Sequence, residues 1–299
     1  MPESSLQNRF AIPDALYFDA GRDGLTRAVI STEACDAEIY LHGAHITQWN
    51  PRGAAPVLFL SSKSLYAPGK AIRGGVPVIF PWFGPRGDGK PGPMHGFART
   101  IEWAVTGTAL NDTGGVELTL ALDPNQETRA LGHSAFHLQF SAVFGRTLQM
   151  TLETRNLSEE PFVFEQALHT YFAIADIHRV SVSGLENTVY IDKTDAFRRK
   201  RQGGEPIAIE SETDRVYLNT GAASTIDDSA LGRRIVIEKS GSQTTVVWNP
   251  WMEKTKTLTD MATDDWRRMV CIETANAADN ALRLAPGATH RMFASIRVE

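Results

Sequence analysis

The stretch FHLQFSAVFGRTLQMTLETRNL, residues 136–157, decides the fold class. It contains two runs in which apolar and polar side chains alternate, FHLQFSAVF and LQMTLETRNL. A period of two places successive side chains on opposite faces of an extended chain, so each run is predicted to be a β-strand with one buried face. Runs of the same kind recur along the chain, namely EIYLHGAHITQW, GVELTLAL, FVFEQALH, RVSVSG, RIVIEK, QTTVVWN and RMFASIRVE.

Helical patterns are scarce between these runs. Many short strands without interleaved helices predict an all-β fold, a large antiparallel sandwich or barrel, and not a βαβ sheet. Two segments, DDWRRMV and SSKSLYA, are each predicted to form about two turns of helix as connectors. The segment FPWFGPRGDGKPGPMHG is so rich in Gly and Pro that it is predicted to be loop. We expect one domain over residues 1–299.

Composition and charge narrow the classes of partner. The formal net charge of -5 and the pI near 5.9 argue against nucleic-acid or anionic-membrane binding. The basic cluster RRKRQ, residues 198–202, is the exception, and we expect it to be a solvated loop. The sequence shows neither a secretion signal nor an apolar run long enough for a bilayer, so a cytoplasmic location is expected. Cys35 and Cys271 are expected to be free thiols.

Two sequence motifs come close to cofactor-binding patterns but do not match them. GPRGDGKP, residues 84–91, nearly forms a P-loop, but Pro91 stands where a Ser or Thr must ligate magnesium. His42 and His45 lie three apart in a strand-like segment, so their side chains should point to opposite faces and make poor joint metal ligands. We therefore expect no metal and no other cofactor.

Three titratable side chains lie in apolar surroundings. They are His95 in GPMHGFART, His169 in QALHTYFAI and Glu273 in VCIETAN. A histidine titrates near neutrality, and a carboxylate in a half-apolar cleft can have its pKa raised, so together they could supply one acid and one base. The alternative for each histidine is a hydrogen-bonded core or surface residue without a catalytic role.

Arginines and aromatic residues accompany these groups. Arg73 precedes Gly74 and Gly75, and Arg99 follows the first histidine by four residues. Arginine binds phosphate or carboxylate through a planar fork, and neighbouring glycines let a ligand approach the backbone. A structural ion pair is the alternative interpretation. The aromatic runs FPWF, TYF and WNPW are typical of a core, but aromatic walls with a few polar groups also suit a sugar.

Five ordered segments together resemble one enzyme family. They are IRGGVPVIFPWFGP, PMHGFAR with the downstream Trp103, ALHTYF, WNPW and DMATDDWRRMVCIETAN, and all of them lie between about residue 40 and residue 280. In this order they resemble the hexose-6-phosphate 1-epimerases of the aldose 1-epimerase (mutarotase) superfamily. The resemblance implies a single β-supersandwich domain and cofactor-free interconversion of the α and β anomers of a hexose 6-phosphate.

The same resemblance implies roles for individual residues. His169 resembles the family's general acid on the ring oxygen, and Glu273 resembles its general base on the C1 hydroxyl. The substrate-binding residues implied by the resemblance are Arg73, His95, Arg99 and Asp192. Of these, the match of Asp192 in YIDK rests on the shortest motif.

The implied reaction is a proton transfer that opens and closes the sugar ring. Glu273 starts ionised and His169 starts protonated, which predicts a bell-shaped dependence of rate on pH. The expected partner is a small-molecule sugar phosphate, bound by a monomer. Two alternatives stay open: a mutarotase for unphosphorylated aldoses, and a sugar-phosphate binding or regulatory protein without catalysis.

Overall fold

The computed structural model describes residues Met1–Glu299, in which strands dominate. The ladders between named strands are antiparallel. In chain order the strands are β1 (Leu16–Ala20), β2 (Thr26–Ser31), β3 (Cys35–Tyr40), β4 (His45–Pro51), β5 (Val78–Ile79), β6 (Ala104–Leu110), β7 (Val116–Leu122), β8 (Phe136–Phe144), β9 (Leu148–Asn156), β10 (Phe162–Phe164), β11 (Gln166–Leu168), β12 (Tyr171–Ala173), β13 (Val180–Ser183), β14 (Val189–Asp192), β15 (Arg198–Arg201), β16 (Ile207–Ala208), β17 (Thr213–Leu218), β18 (Ser224–Asp228), β19 (Arg233–Ser240), β20 (Thr244–Asn249), β21 (Met269–Asn276), β22 (Leu282–Leu284) and β23 (Thr289–Val298).

Helices are few and short. The α-helices are α1 (Glu3–Phe10), α2 (Gln126–Ala130) and α3 (Trp251–Lys256). Single turns of 3₁₀-helix are found at Arg22–Gly24, Ala98–Thr100, Ile177–Arg179, Asp265–Arg268 and Ala278–Asn280. None of the helices has the length and apolar character needed to cross a membrane.

Two large sheets face each other across the core. One has nine strands in the order β16-β13-β18-β19-β23-β9-β8-β7-β6, and the other has eight, β15-β14-β17-β20-β21-β11-β5 with β12 also paired to β21. A cluster of 58 buried apolar residues contains side chains from both, such as Phe140 of β8 and Ile272 of β21. Smaller sheets, β1-β2-β3-β4 and β10-β22, complete the fold. The predicted all-β, antiparallel sandwich is confirmed.

Strands β8 and β9 show the predicted alternation. They pair from Phe136 opposite Asn156 to Phe144 opposite Leu148. Along β8 every second side chain is buried, beginning with the first, and the residues between them are only partly covered. One face therefore enters the core while the other stays near solvent, as a period of two requires.

Strand β21 differs because both of its faces are covered. All eight of its residues are buried. Val270 and Ile272 belong to the main core between the sheets. Cys271 and Ala275 point the other way and belong to two smaller clusters. Glu273, between them on this second face, is therefore directed away from the main core, toward the outer side of the eight-stranded sheet.

Several local predictions fail. SSKSLYA contains no helix, and DDWRRMV forms only the 3₁₀ turn Asp265–Arg268 before β21 begins. EIYLHGAHITQW is a hairpin of β3 and β4 instead of one strand, because Gly43 and Ala44 adopt positive φ and turn the chain. The basic cluster forms the edge strand β15 instead of a loop.

Two other expectations hold. Residues 80–96, rich in Gly and Pro, contain no helix and no strand longer than a bridge. Cys35 and Cys271 are both buried free thiols.

Candidate active site

His169 and Glu273 lie side by side on the eight-stranded sheet. His169 falls in the gap between β11 and β12, and both of these strands pair with β21. Pairing stops after Leu168 opposite Thr274 and resumes with Tyr171 opposite Cys271, which places His169 beside Glu273. The imidazole Nε2 lies 3.3 Å from Oε1 of the carboxyl group. The predicted acid and base are thus in direct contact.

The pair is buried, and its hydrogen-bonding capacity is only partly used. His169 is 6% exposed and Glu273 is 1% exposed. Oε2 of Glu273 and Nδ1 of His169 are buried without a hydrogen-bond partner. Buried polar atoms are normally paired, since an unpaired one retains the cost of its lost hydration. A ligand hydroxyl that donated to Oε2 would recover that cost, so the free oxygen marks a place for such a hydroxyl.

Aromatic rings hold the imidazole in position. His169 stacks on Tyr171 with ring centroids 4.8 Å apart and planes 9° apart. It also makes an edge-to-face contact with Trp248, with ring centroids 6.0 Å apart and planes 82° apart. Both rings contribute to a small cluster beneath the site. Because one stacked contact and one edge-to-face contact limit ring rotation, Nε2 stays directed at Glu273.

His95 is the second histidine of the site. Its ring centroid is 5.5 Å from that of His169 and 4.8 Å from that of Phe83. Its Nδ1 accepts the backbone N–H of Gly84 at 3.2 Å, and its own backbone has a φ of 63°. Since Nδ1 accepts, the neutral ring carries its proton on Nε2, which becomes a hydrogen-bond donor.

These side chains line one cavity of about 380 Å³. This volume is within the usual range for small-molecule sites. The cavity walls also contain Trp248 and four basic side chains, which are Arg73, Arg99, Lys193 and Lys254.

Arg73 is engaged by protein groups. Its Nη2 lies 3.0 Å from the Asp260 carboxylate, and its Nη1 donates to the Tyr171 hydroxyl at 2.9 Å. The structural ion pair that sequence reasoning kept as an alternative is therefore present. Arg73 borders the cavity and also supports the ring on which His169 stacks.

Gly74 and Gly75 serve the backbone and not a ligand. Their φ angles are +115° and +60°. A Cβ atom would lie 2.4 Å from the Phe59 carbonyl oxygen at Gly74, and 2.1 Å from the Ile46 carbonyl oxygen at Gly75. The expectation that these glycines let a ligand approach is wrong, because neighbouring chain segments already occupy that space.

Arg99 and Lys254 retain free donors. Nη2 of Arg99 donates to the Met94 carbonyl at 2.8 Å, but its Nε is buried without a partner. Burial lowers the pKa of Arg99 to about 10, so the side chain remains a cation at neutral pH. Lys254 is exposed on α3 and takes no part in the ion pairs that hold Arg73 and Lys193. The cavity wall therefore contains two cations that form no ion pair with a carboxylate of the protein.

The structure does not bring Asp192 to the cavity. Its carboxylate accepts hydrogen bonds from Lys200 at 2.7 Å and from the Thr194 hydroxyl at 2.6 Å. The next residue, Lys193, which follows the end of β14, lines the cavity instead. The carboxylate found in the wall is Asp214, which pairs with Lys193 at 3.1 Å.

Sequence reasoning missed Asp214, although a signal was present. In TDRVYL this acid is followed at steps of two by Val216 and Leu218, so it shares a face with apolar residues. The signal differs from that of Glu273, which follows a continuous apolar run, because here the apolar residues alternate with others along the strand.

Burial shifts His169 and Glu273 toward their neutral forms. It lowers the pKa of His169 well below 6.5, and Arg99 and Arg73 lower it further. It raises the pKa of Glu273 well above 4.5, and Asp214 adds to this effect. Both shifts favour the neutral forms, which are an uncharged imidazole and a protonated carboxyl group. This differs from the expected start with an ionised base and a protonated acid, because neither charge is favoured without water.

Comparison with known proteins identifies the family. The family model for aldose 1-epimerase matches residues 27–297. A relative from Cenchrus ciliaris, provisionally named glucose-6-phosphate 1-epimerase, is 35% identical over 273 residues, covering 88% of this chain and 82% of that protein. A relative from Escherichia coli K12 with the same provisional name is 37% identical over 257 residues, covering 86% and 85%.

Solved structures agree with this result. A structure from Salmonella typhimurium, provisionally described as a mutarotase, matches with a TM-score of 0.89 and 33% identity, covering 97% of this chain and 95% of that one. Galactose 1-epimerase from Lactobacillus acidophilus has the same fold, with a TM-score of 0.65 at 13% identity. The family model covers most of the chain, and the two matches cover more than four fifths of each relative. The chain therefore belongs to the aldose 1-epimerase family of isomerases.

Proposed function

We propose that this protein interconverts the α and β anomers of a hexose 6-phosphate, with glucose 6-phosphate as its substrate. The observation that carries the proposal is the buried contact between His169 and Glu273, which has one carboxylate oxygen free, in a cavity that also holds unpaired cations. The pair supplies the acid and the base, and the cations supply attraction for a phosphate dianion.

The reaction needs one proton in and one proton out. Glu273 takes the proton of the C1 hydroxyl while His169 donates a proton to the ring oxygen O5. The C1–O5 bond breaks, C1 becomes a carbonyl, and rotation about C1–C2 exposes its other face. Ring closure reverses both transfers, so atoms and charge balance over the cycle. The fixed contact in the sheet pre-organises both groups for these steps.

The surrounding charges suggest how the sugar lies. The proton transfers place O5 at His169 and the C1 hydroxyl at Glu273. Arg73 is on the His169 side, since it donates to the hydroxyl of Tyr171, the ring on which His169 stacks. C6 is bonded to C5, next to O5, so its phosphate reaches toward Arg99 and Lys254. In this arrangement Asp214 binds sugar hydroxyls, and Asp192 does not contact the sugar.

Phosphate binding would also prepare the acid. Arg99 and Arg73 lower the pKa of His169, so neutralising Arg99 with a phosphate dianion removes part of that effect. The proton then moves more readily from Glu273 to His169, which gives the arrangement that the ring-opening step requires. The phosphate thus contributes to catalysis as well as to binding.

The pH dependence follows from the two shifted pKa values. His169, with its lowered pKa, takes up a proton only at pH below 6.5, and the pair then lacks a base. Glu273, with its raised pKa, releases its proton only at pH above 4.5, and the pair then lacks an acid. We expect kcat/KM to follow a bell-shaped dependence on pH, with the acid limb set by His169 and the alkaline limb set by Glu273.

This profile is measured best with free glucose beside glucose 6-phosphate, because the phosphate itself titrates with a pKa of about 6. Matching bells for both sugars would assign the limbs to the enzyme. A single limb centred on the ordinary histidine pKa would contradict this assignment.

The experiment that tests the function is exchange NMR on equilibrated glucose 6-phosphate, with free glucose and free galactose as controls. Acceleration of exchange between the phosphosugar anomers, well above that for either free sugar, is the expected result. Equal acceleration of all three would replace the proposal with a general mutarotase. No acceleration of any sugar would leave a binding protein without catalysis.

We infer that one domain carries this function, since the main core cluster includes residues from Leu6 to Ile296.

A further inference from the structure

A separate cavity of about 430 Å³ lies at one end of the nine-stranded sheet. Its walls come from the loop after β4, from the turns that join β8 to β9 and β18 to β19, from the start of β19 and from the end of β23. It shares no lining residue with the catalytic cavity. The reaction derived above uses none of its side chains, so anomer exchange does not explain this cavity.

The register of the strands brings these segments together. In the nine-stranded sheet β18, β19, β23, β9 and β8 lie side by side. Ile235 of β19 pairs with Val298 of β23, and the first residue of β9 pairs with Ile296. The two turns and the end of the last strand therefore meet at the same end of the sheet. Trp49 of β4 donates to the carbonyl of Gly145 at 3.0 Å, which ties β4 to the turn between β8 and β9.

The wall of this cavity is positively charged. It contains three arginines, Arg52, Arg146 and Arg233, and no carboxylate. Arg52 pairs with Asp36 at 2.6 Å on the surface, and Arg233 lies 3.9 Å from the buried Asp228. Arg146 is exposed and forms no ion pair. An anion in the cavity would therefore meet at least one cation whose charge no carboxylate of the protein compensates.

The C-terminal residue does not supply that compensation. Glu299 follows Val298 of the wall, but its side chain pairs with Arg234 at 3.6 Å and with Arg297 at 2.9 Å. Its main-chain oxygen accepts the backbone N–H of Arg234 at 2.9 Å. Both carboxylates of the terminal residue thus have partners outside the cavity wall.

Two of the arginines are held in place and still keep free donors. A guanidinium group has five N–H donors. Arg52 donates three hydrogen bonds to groups of residues 31–36, and Arg233 donates three to backbone carbonyls. Each therefore retains two N–H groups. Arg233 is only 7% exposed, and its buried Nε has no hydrogen-bond partner. Buried polar atoms are normally paired, so this nitrogen is a donor that a ligand oxygen could satisfy.

Apolar side chains flank the arginines. Leu231 is 44% exposed, and Val298 and Pro51 also line the cavity. Sites for small molecules occupy about 300–1,000 Å³, so this cavity can hold an organic group beside an anionic one. The combination favours a ligand with one charged end and one apolar part.

We propose that this cavity binds a small phosphate ester, with its phosphate between Arg52, Arg146 and Arg233 and its organic part on Leu231 and Val298. Arginine binds phosphate through its planar fork, and a dianion is attracted to several cations more strongly than a monoanion is. The two cavities have no wall in common, so this ligand does not compete with the reacting hexose. The inference is independent of the proposed reaction and of its substrate.

Calorimetric titration of the full-length protein with three probes tests the site. The probes are phenyl phosphate, inorganic phosphate and benzoate. Arg99→Ala is the starting protein, because it lacks the phosphate contact proposed for the catalytic cavity. We expect phenyl phosphate to bind about tenfold more tightly than inorganic phosphate, the effect of roughly 1.4 kcal/mol from the apolar contacts of its ring. Benzoate, with a single charge, should bind more weakly than phenyl phosphate.

Two further substitutions in this protein separate the phosphate contact from the apolar one. Arg146→Ala should weaken both phosphates by about tenfold or more, the range for loss of one partner of a charge pair. Leu231→Ala should weaken phenyl phosphate and leave inorganic phosphate unchanged. Arg198→Ala and Leu110→Ala remove exposed side chains from β15 and β6, and these controls should change no dissociation constant.

Three results would overturn the inference. They are unchanged affinity for both phosphates in Arg146→Ala, benzoate that binds as tightly as phenyl phosphate, and unchanged affinity for phenyl phosphate in Leu231→Ala. Anomer exchange of glucose 6-phosphate in Arg146→Ala with Arg99 intact should stay at the wild-type rate. This measurement keeps the outcome distinct from that of the proposed function, and a loss of exchange there would contradict the separation of the two cavities.

Discussion

Glu273→Gln should lower kcat for anomer exchange by about 10³-fold, within the range of roughly 10²–10⁴ that general acid and base catalysis contributes. Glutamine keeps the size of the side chain but cannot take a proton from the C1 hydroxyl. Substrate affinity should change little, because a carboxamide still offers one oxygen to that hydroxyl. Exchange NMR gives the rate, and calorimetric titration with glucose 6-phosphate gives the dissociation constant.

Asp192→Asn is the matched control for this loss. Asp192 is a buried carboxylate held by Lys200 and lies outside the cavity. Its substitution should leave kcat within a few-fold of the wild type. A large loss of kcat in Asp192→Asn with unchanged thermal stability would show that Asp192 contributes to the active site. Anomer exchange at the wild-type rate in Glu273→Gln would contradict the assignment of Glu273 as the general base.

Arg99→Ala should reduce kcat/KM for glucose 6-phosphate by about 30-fold or more relative to free glucose. Removing one partner of a desolvated charge pair costs about 2 kcal/mol or more, and each 1.4 kcal/mol is tenfold. Part of the loss should appear in kcat, because the bound phosphate no longer offsets a cation near His169. Steady-state exchange rates for both sugars at several concentrations separate kcat from KM.

Two comparisons make the Arg99 result interpretable. Arg99 also donates to the carbonyl of Met94 in the loop over residues 80–96. The rate with free glucose therefore measures any loss of activity that comes from disturbing this loop and not from losing the phosphate contact. Arg198→Ala removes an exposed arginine of the edge strand β15 and should change neither sugar. Equal losses for glucose and glucose 6-phosphate in Arg99→Ala would contradict the proposal that Arg99 binds the phosphate.

Local sequence was sufficient for the features that depend on neighbouring residues. The alternation in β8 and β9 predicted strands with one buried face, and the structure has them. Dense Gly and Pro predicted the loop over residues 80–96. Short motifs also singled out His169 and Glu273, because a polar group inside an apolar run is visible without knowing the fold. Their contact at 3.3 Å then brought the two predictions together.

Helical segments were predicted less well. SSKSLYA has residues that suit a helix but forms none, while α1 was not anticipated. Intrinsic propensity is a weak guide over two turns, where tertiary contacts outweigh it. Gly74 and Gly75 were assigned to ligand approach for a similar reason, since the carbonyl groups that crowd them come from chain segments distant in sequence.

The sequence by itself determined the fold class, the family resemblance and the two residues proposed as acid and base, because each depends on patterns within a few neighbouring positions. Only the tertiary structure decided that Asp214, and not Asp192, lines the cavity, and that Arg73 is held by protein groups while Arg99 keeps a free donor. These outcomes depend on which strand lies beside which and on which face each side chain occupies. One step along a strand reverses the face, so short motifs cannot settle them.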